Sequence, residues 1–144
     1  MTAQVHSRPK HGLRRSIPAG IQYFAVVFAI GFVLGTIRTI WLEPSFGTRT
    51  AELLEAPMML VAIICGARWA VRRNRLSQSM ELIATGAIAF TLLLVTEFTA
   101  ILWLREMTFA EYVESRDPIA GGVYIVLLAA FGLMPLHCGR ASYE

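Results

Sequence analysis

The sequence predicts an all-α fold, an integral membrane four-helix bundle with both termini cytoplasmic. Three observations predict it. The 144 residues are 56% hydrophobic and 16% charged, with a mean hydropathy of +0.56; a soluble domain of this size carries more charge. The apolar residues gather into four runs, each near the ~20 residues that a helix needs to cross a ~30 Å hydrocarbon core. The basic residues between the runs concentrate on alternate connections. The chain 1–144 reads as one transmembrane domain, with no room for a separate soluble unit.

Residues 1–17 are expected to form a basic cytoplasmic tail, carrying Arg8, Lys10, Arg14 and Arg15. The apolar run behind the tail exceeds the length of a signal-peptide core and lacks a small-residue cleavage site, so it is read as a retained span. This first span covers about residues 18–42 and should end in the turn-forming run Glu43-Pro44-Ser45-Phe46-Gly47. The second covers about 51–71 and stops at Arg72-Arg73-Asn74-Arg75. The third covers about 80–104. Asp117-Pro118 introduces the fourth, about 119–136.

Orientation follows from the basic residues. The tail and the connection Arg72-Arg73-Asn74-Arg75, with Arg68 nearby, fall on one side. The other side mixes Arg49, Arg105 and Arg116 with Glu43, Glu106, Glu111, Glu114 and Asp117. Trp41 and Trp103 would mark the outer interface, and Tyr23 and Trp69 the inner one. The expected location is a cell inner membrane, with the lipid bilayer as first partner. Before the fourth span, Thr108-Phe109-Ala110-Glu111 is a capping-box pattern. It predicts a short interfacial helix, with Phe109, Tyr112 and Val113 on one side and Glu111 and Glu114 on the other.

Small residues predict how the spans pack. Gly31 and Gly35 form a GxxxG pair on the first span, and Ala62 and Gly66 a similar pair on the second. Such stripes let backbones approach closely, so these two are expected to meet. Gly121-Gly122 and Ala129-Ala130 on the fourth span would permit further close packing or contact with a second copy.

Charge inside the apolar runs marks the candidate site. Arg38 shares a helical face with Gly31 and Gly35. Arg38 and Glu55 each lie roughly 7–9 Å in from the loop that joins their spans, at 1.5 Å per residue. A lone charge at the centre of the bilayer costs about 2.5–3.5 kcal/mol on insertion scales. The two are therefore expected to pair, with Glu52 one turn nearer the loop. Pro57 should kink the second span and free a carbonyl toward the same region. Glu97 on the third span sits about 12 Å below its outer end, within reach of the long Arg38 side chain. A buried cluster of Arg38, Glu52, Glu55 and Glu97 follows, in which one carboxyl, Glu97, holds or shares a proton or cation.

The reading such a cluster suggests first is a structural or accessory membrane protein, and the alternative is a proton- or cation-coupled small transporter using Glu97. Enzymatic patterns are missing from the sequence, with no Ser–His–Asp set, HExxH motif or phosphate-binding glycine loop. His6, His11 and His137 lie outside or at the edge of the spans, and His137-Cys138 lacks metal-ligand spacing. Cys65 and Cys138, both in the cytoplasmic half on this topology, give no reason for a disulfide. No catalytic residue, cofactor, metal or nucleic-acid partner is expected. A homo-oligomer or another membrane protein is the expected protein partner.

The run Gly31-Phe-Val-Leu-Gly35-Thr-Ile-Arg38, with Pro44, Gly47, Ala51-Glu52-Leu53, Glu55 and Pro57-Met58, resembles a family of small four-helix bacterial inner-membrane proteins of uncharacterised activity. The stretch around Glu97, with Phe109-Ala110-Glu111 and Pro118, extends the likeness. The resemblance implies the four-helix topology and no particular activity. Small multidrug exporters also have four spans and a membrane glutamate, but theirs lies in the first span, where this chain has Arg38. Membrane-associated eicosanoid and glutathione enzymes have a similar length, but their arginine-rich cofactor site has no counterpart here. Both are likenesses of architecture alone.

Overall fold

The computed structural model describes residues 10–104, 106 and 108–141. Among the described residues all regular structure is helical. α1 spans Lys10–Ile37 and runs through a π-helical turn, Arg38–Leu42, into the short α2, Glu43–Phe46. α3 spans Thr48–Arg73, α4 Ser79–Leu104, α5 Phe109–Glu114 and α6 Pro118–Arg140. Four segments are long and apolar enough to cross a membrane: Leu13–Phe46, Thr48–Arg73, Ser79–Ala100 and Pro118–Arg140. A helix is the favoured solution in hydrocarbon, because it satisfies each backbone group within its own segment. The outward faces are apolar as this requires. Phe32, Trp41, Trp103, Ile125, Val126 and Leu133 all point away from the bundle.

α1 and α6 each pack against both α3 and α4, so α1 and α6 face one another across a diagonal. Contacts of Ser16 with Glu81, Gln22 with Asn74 and Leu82 with Gly139 gather the chain ends and the α3–α4 connection at one end of the bundle. This is the terminal end; α2 and α5 lie at the other, the distal end.

The packed core occupies the terminal half. Tyr23 and Val27 of α1, Ile63, Ala67 and Ala70 of α3, Ala89 of α4, and Phe131 and Cys138 of α6 form its main cluster. In the distal half, Ala51 and Ala120 are the buried hydrophobic residues among those described. One polar contact ties the diagonal. The Tyr23 hydroxyl donates to the Phe131 carbonyl at 2.9 Å, and the two rings stack with centroids 4.6 Å apart. Pro135 explains why that carbonyl needs a partner. Four residues on from Phe131, it has no N–H to donate back along the helix.

Several boundaries differ from expectation. Helix begins at Lys10, so residues 10–17 belong to α1, and Ser16 is buried and donates to the Glu81 carbonyl at 3.0 Å. Residues 1–9 lie outside the described residues. The first span ends within the run Glu43–Gly47, but helix continues through Pro44 to Phe46, beyond the expected limit at about residue 42. Pro44 cannot bond the Ile40 carbonyl, and the wider π turn before it, closed by the Glu43 N–H on the Arg38 carbonyl, accommodates the proline. Gly47, at φ 79° and ψ 158°, then reverses the chain in a single residue, a conformation open to glycine.

The small-residue stripes also pack differently. Gly66 lies under Val27 and Tyr23, while Gly31 faces the Met59 side chain and Gly35 has nothing within 4 Å of a notional Cβ. Ala62 is buried. A close backbone approach lies instead between α4 and α6, where a Cβ on Gly86 would overlap the Gly132 carbonyl. Pro57 lies away from Arg38, in an exposed groove with Leu60, Ile119 and Gly122. Cys65 and Cys138 are not joined by a disulfide.

The short helix α5 forms with its capping box. Glu111 accepts from the Thr108 N–H and hydroxyl, both at 2.8 Å, and the Glu111 N–H reaches the Thr108 hydroxyl at 3.4 Å. The side chains of Phe109 and Val113 lie outside those described.

Candidate functional site

The distal half encloses the site. The π turn places Arg38 at the top of α1, and the one-residue turn at Gly47 brings the first turns of α3 back against it. The Arg38 guanidinium lies 3.1 Å from Glu55 and 3.7 Å from Glu52, while its Nε lies 3.2 Å from Glu43. That Nε is buried and lacks hydrogen-bond alignment with any partner. The cluster is not buried as expected. Its side chains keep 23% exposure at Arg38, 18% at Glu52 and 14% at Glu55, because they line an open cavity. Among the described residues the buried carboxylate is Glu81, at 6% exposure. It accepts the N–H groups of Ser77 and Gln78 and caps the start of α4.

Glu97 stands apart from Arg38. On α4 it accepts a hydrogen bond from the Tyr124 hydroxyl of α6. Among the described residues it makes no ion pair. Arg116, in the bend between α5 and α6, holds its guanidinium 4.4 Å from the Tyr124 ring centre and 5.2 Å from that of Tyr112. Asp117 caps α6 by accepting from the N–H groups of Ile119 at 2.9 Å and Ala120 at 3.1 Å, and lies 3.6 Å from Arg49. The Ala120 N–H above all, with that of Ile119 and the Arg49 charge, holds the Asp117 carboxyl below the usual range.

Two spaces meet here. A cavity of about 320 Å³ runs into the bundle between apolar walls that include Val27, Ile63, Leu93, Leu127 and Phe131. Val27, Ile63 and Phe131, members of the packed core, close its inner end. A polar space of about 390 Å³ lies beside its upper end, lined by Glu43, Thr48, Tyr112 and Asp117 among others. Arg38, Glu52, Glu97 and Arg116 line both, each supplied by a different segment of the chain. These four side chains form the boundary between a polar mouth and an apolar chamber.

Among the described residues, two arginines and five carboxylates line the two spaces. Arg38 is shared among Glu43, Glu52 and Glu55, and Asp117 has Arg49. Glu97 is held by a neutral hydroxyl.

Of the four residues expected at the site, the structure joins Arg38, Glu52 and Glu55 and sets Glu97 on a second partner, Tyr124. Sequence reasoning missed Tyr124, Tyr112 and Arg116. Tyr124 was open to notice as the polar side chain of an otherwise apolar run, Val123 to Leu128. Comparison with family models, curated proteins and solved structures finds no match. The likeness to bacterial inner-membrane proteins gains no support from that comparison, and the chain is placed by its four apolar helices.

Proposed function

We propose that this protein is a small carrier in a cell inner membrane, which binds a cation at Glu97 and exchanges it for a proton. Both termini lie in the cytoplasm on this reading, and the polar mouth opens to the opposite side. One observation carries the reading: Glu97 lines both the polar mouth and the apolar chamber, and its partner there is a hydroxyl rather than a cation. Arg38, Glu52 and Arg116 share that boundary and set the field in which Glu97 exchanges its partner. Release to the other side requires the packed core at the inner end of the chamber, where Val27, Ile63 and Phe131 meet, to open. The reading needs no nucleophile, metal or cofactor.

A second reading, a structural or accessory protein, rests on the Arg38 pairs. They tie the end of α1 to α3 and would fix the register of that hairpin whether or not anything binds.

Reconstitution into liposomes separates the two. With an imposed pH gradient, addition of tetrapropylammonium should dissipate the gradient through wild-type protein, and Glu97→Gln should abolish this without loss of fold. If wild type moves no protons with the cation, or Glu97→Gln behaves as wild type, the carrier reading is wrong and the accessory one stands.

A further inference from the structure

The two tyrosine rings and the carboxylate beside them form a recognisable kind of site, already filled. Arg116 places its guanidinium over Tyr124 at 4.4 Å and over Tyr112 at 5.2 Å, distances at which a cation is drawn to the negative face of a ring. The Tyr124 hydroxyl donates to Glu97, which adds electron density to that ring. The guanidinium makes no ion pair with Glu97 within 4 Å. Arg116 comes from a bend and not from a helix, so its side chain can leave without unwinding a span.

We propose that Tyr112, Tyr124 and Glu97 form a headgroup site for an organic cation, and that Arg116 is a tethered occupant which the cargo displaces. This rests on the reading that the Glu97 cavity binds a cation. It names the class: an ammonium or guanidinium bearing apolar substituents. The head takes the place of the Arg116 guanidinium between the rings, and the substituents enter the chamber lined by Val27, Leu127 and Phe131. Metal cations are disfavoured, because aromatic faces stand where such ions need oxygen ligands. Displaced Arg116 moves into the polar mouth, where Glu43 and Asp117 lie. Binding at the ring faces is then a one-for-one exchange of cations, so the rings are never left bare, while the Glu97 carboxyl exchanges its proton for the cargo.

The test uses the full chain in lipid nanodiscs, titrated with tetrapropylammonium at fixed ionic strength. Arg116→Ala removes the competitor and should bind about tenfold more tightly than wild type, since a desolvated cation–π contact and a tenfold change in affinity have similar free energies. Tyr124→Leu should lose binding in either background, as should Glu97→Gln. In wild type, the side-chain proton resonances of Arg116 should start at ring-shielded positions and move toward unshielded ones on saturation, a readout that needs no variant to fold. Sodium at the same ionic strength should not move them. If wild-type binding depends on Glu97 while Arg116→Ala binds no tighter and the Arg116 resonances stay fixed, displacement is wrong and the cation-site reading survives. If tetrapropylammonium binding is absent or indifferent to Glu97, both fall.

Discussion

Replacing Tyr23 with phenylalanine removes one hydroxyl and leaves the Phe131 carbonyl without the partner it has at 2.9 Å. Tyr23 is fully buried and Phe131 nearly so, so water does not take the place of the hydroxyl. A buried acceptor left without a partner costs about 1–3 kcal/mol. The carbonyl has no alternative within its own helix, because Pro135 supplies no N–H. Pro135→Ala restores that N–H. In its background Tyr23→Phe should cost about 1 kcal/mol or less, the net worth of a bond whose acceptor is satisfied elsewhere. The assay is equilibrium unfolding of the four proteins by SDS titration in mixed micelles, followed by tryptophan fluorescence. A coupling of about 1 kcal/mol or more is expected. Equal costs of Tyr23→Phe in the two backgrounds, within about 0.5 kcal/mol, would refute the link between proline and tyrosine.

Three further outcomes follow from the same geometry. Arg38→Met strands Glu52 and Glu55 and should lower stability by about 1–3 kcal/mol, less than the ~3–5 kcal/mol of a fully buried pair because these side chains are partly solvated. Adding Glu55→Gln should return part of the loss in the same SDS titration. Gly86→Ala should cost about 1–3 kcal/mol by forcing α4 from α6 at Gly132, whereas Gly121→Ala, which meets nothing within 4 Å, should be neutral or stabilising. The Glu111 carboxyl is held below its usual range by the Thr108 N–H and then by the Thr108 hydroxyl, and Asp117 chiefly by the Ala120 N–H. A lowered folded pKa means that each cap contributes above the unfolded value, about 4, and is lost as pH falls through the lower folded one. Amide exchange at Ile119 and Ala120, corrected for intrinsic rates, should therefore accelerate on acidification in wild type and show no such step in Asp117→Asn.

What the sequence determined by itself is local or adjacent in the chain. The four helices follow from apolar runs of bilayer length, and the α5 cap from Thr108 and Glu111 three residues apart. The Arg38–Glu55 pair follows from equal distances to a short turn, since a tight hairpin fixes which residues of its two arms stand level. Glu97 was legible as an anomaly, a carboxylate in an apolar run, but its partner was not. Tyr124 reaches it from α6, and the relative register of α4 and α6 is set by the Gly86–Gly132 approach, which involves segments without a short connection. The same reason hid the Tyr23–Phe131 tie, where a proline opens an acceptor on one helix and the donor arrives from the diagonal one. It hid the Arg116 position too, because a loop arginine reads as a topology signal until two rings are brought around it. A chain alone states where its spans and charges are. Which charge meets which ring across the bundle depends on how four helices share one core, and the packing of that core in the terminal half leaves the cavity in the other.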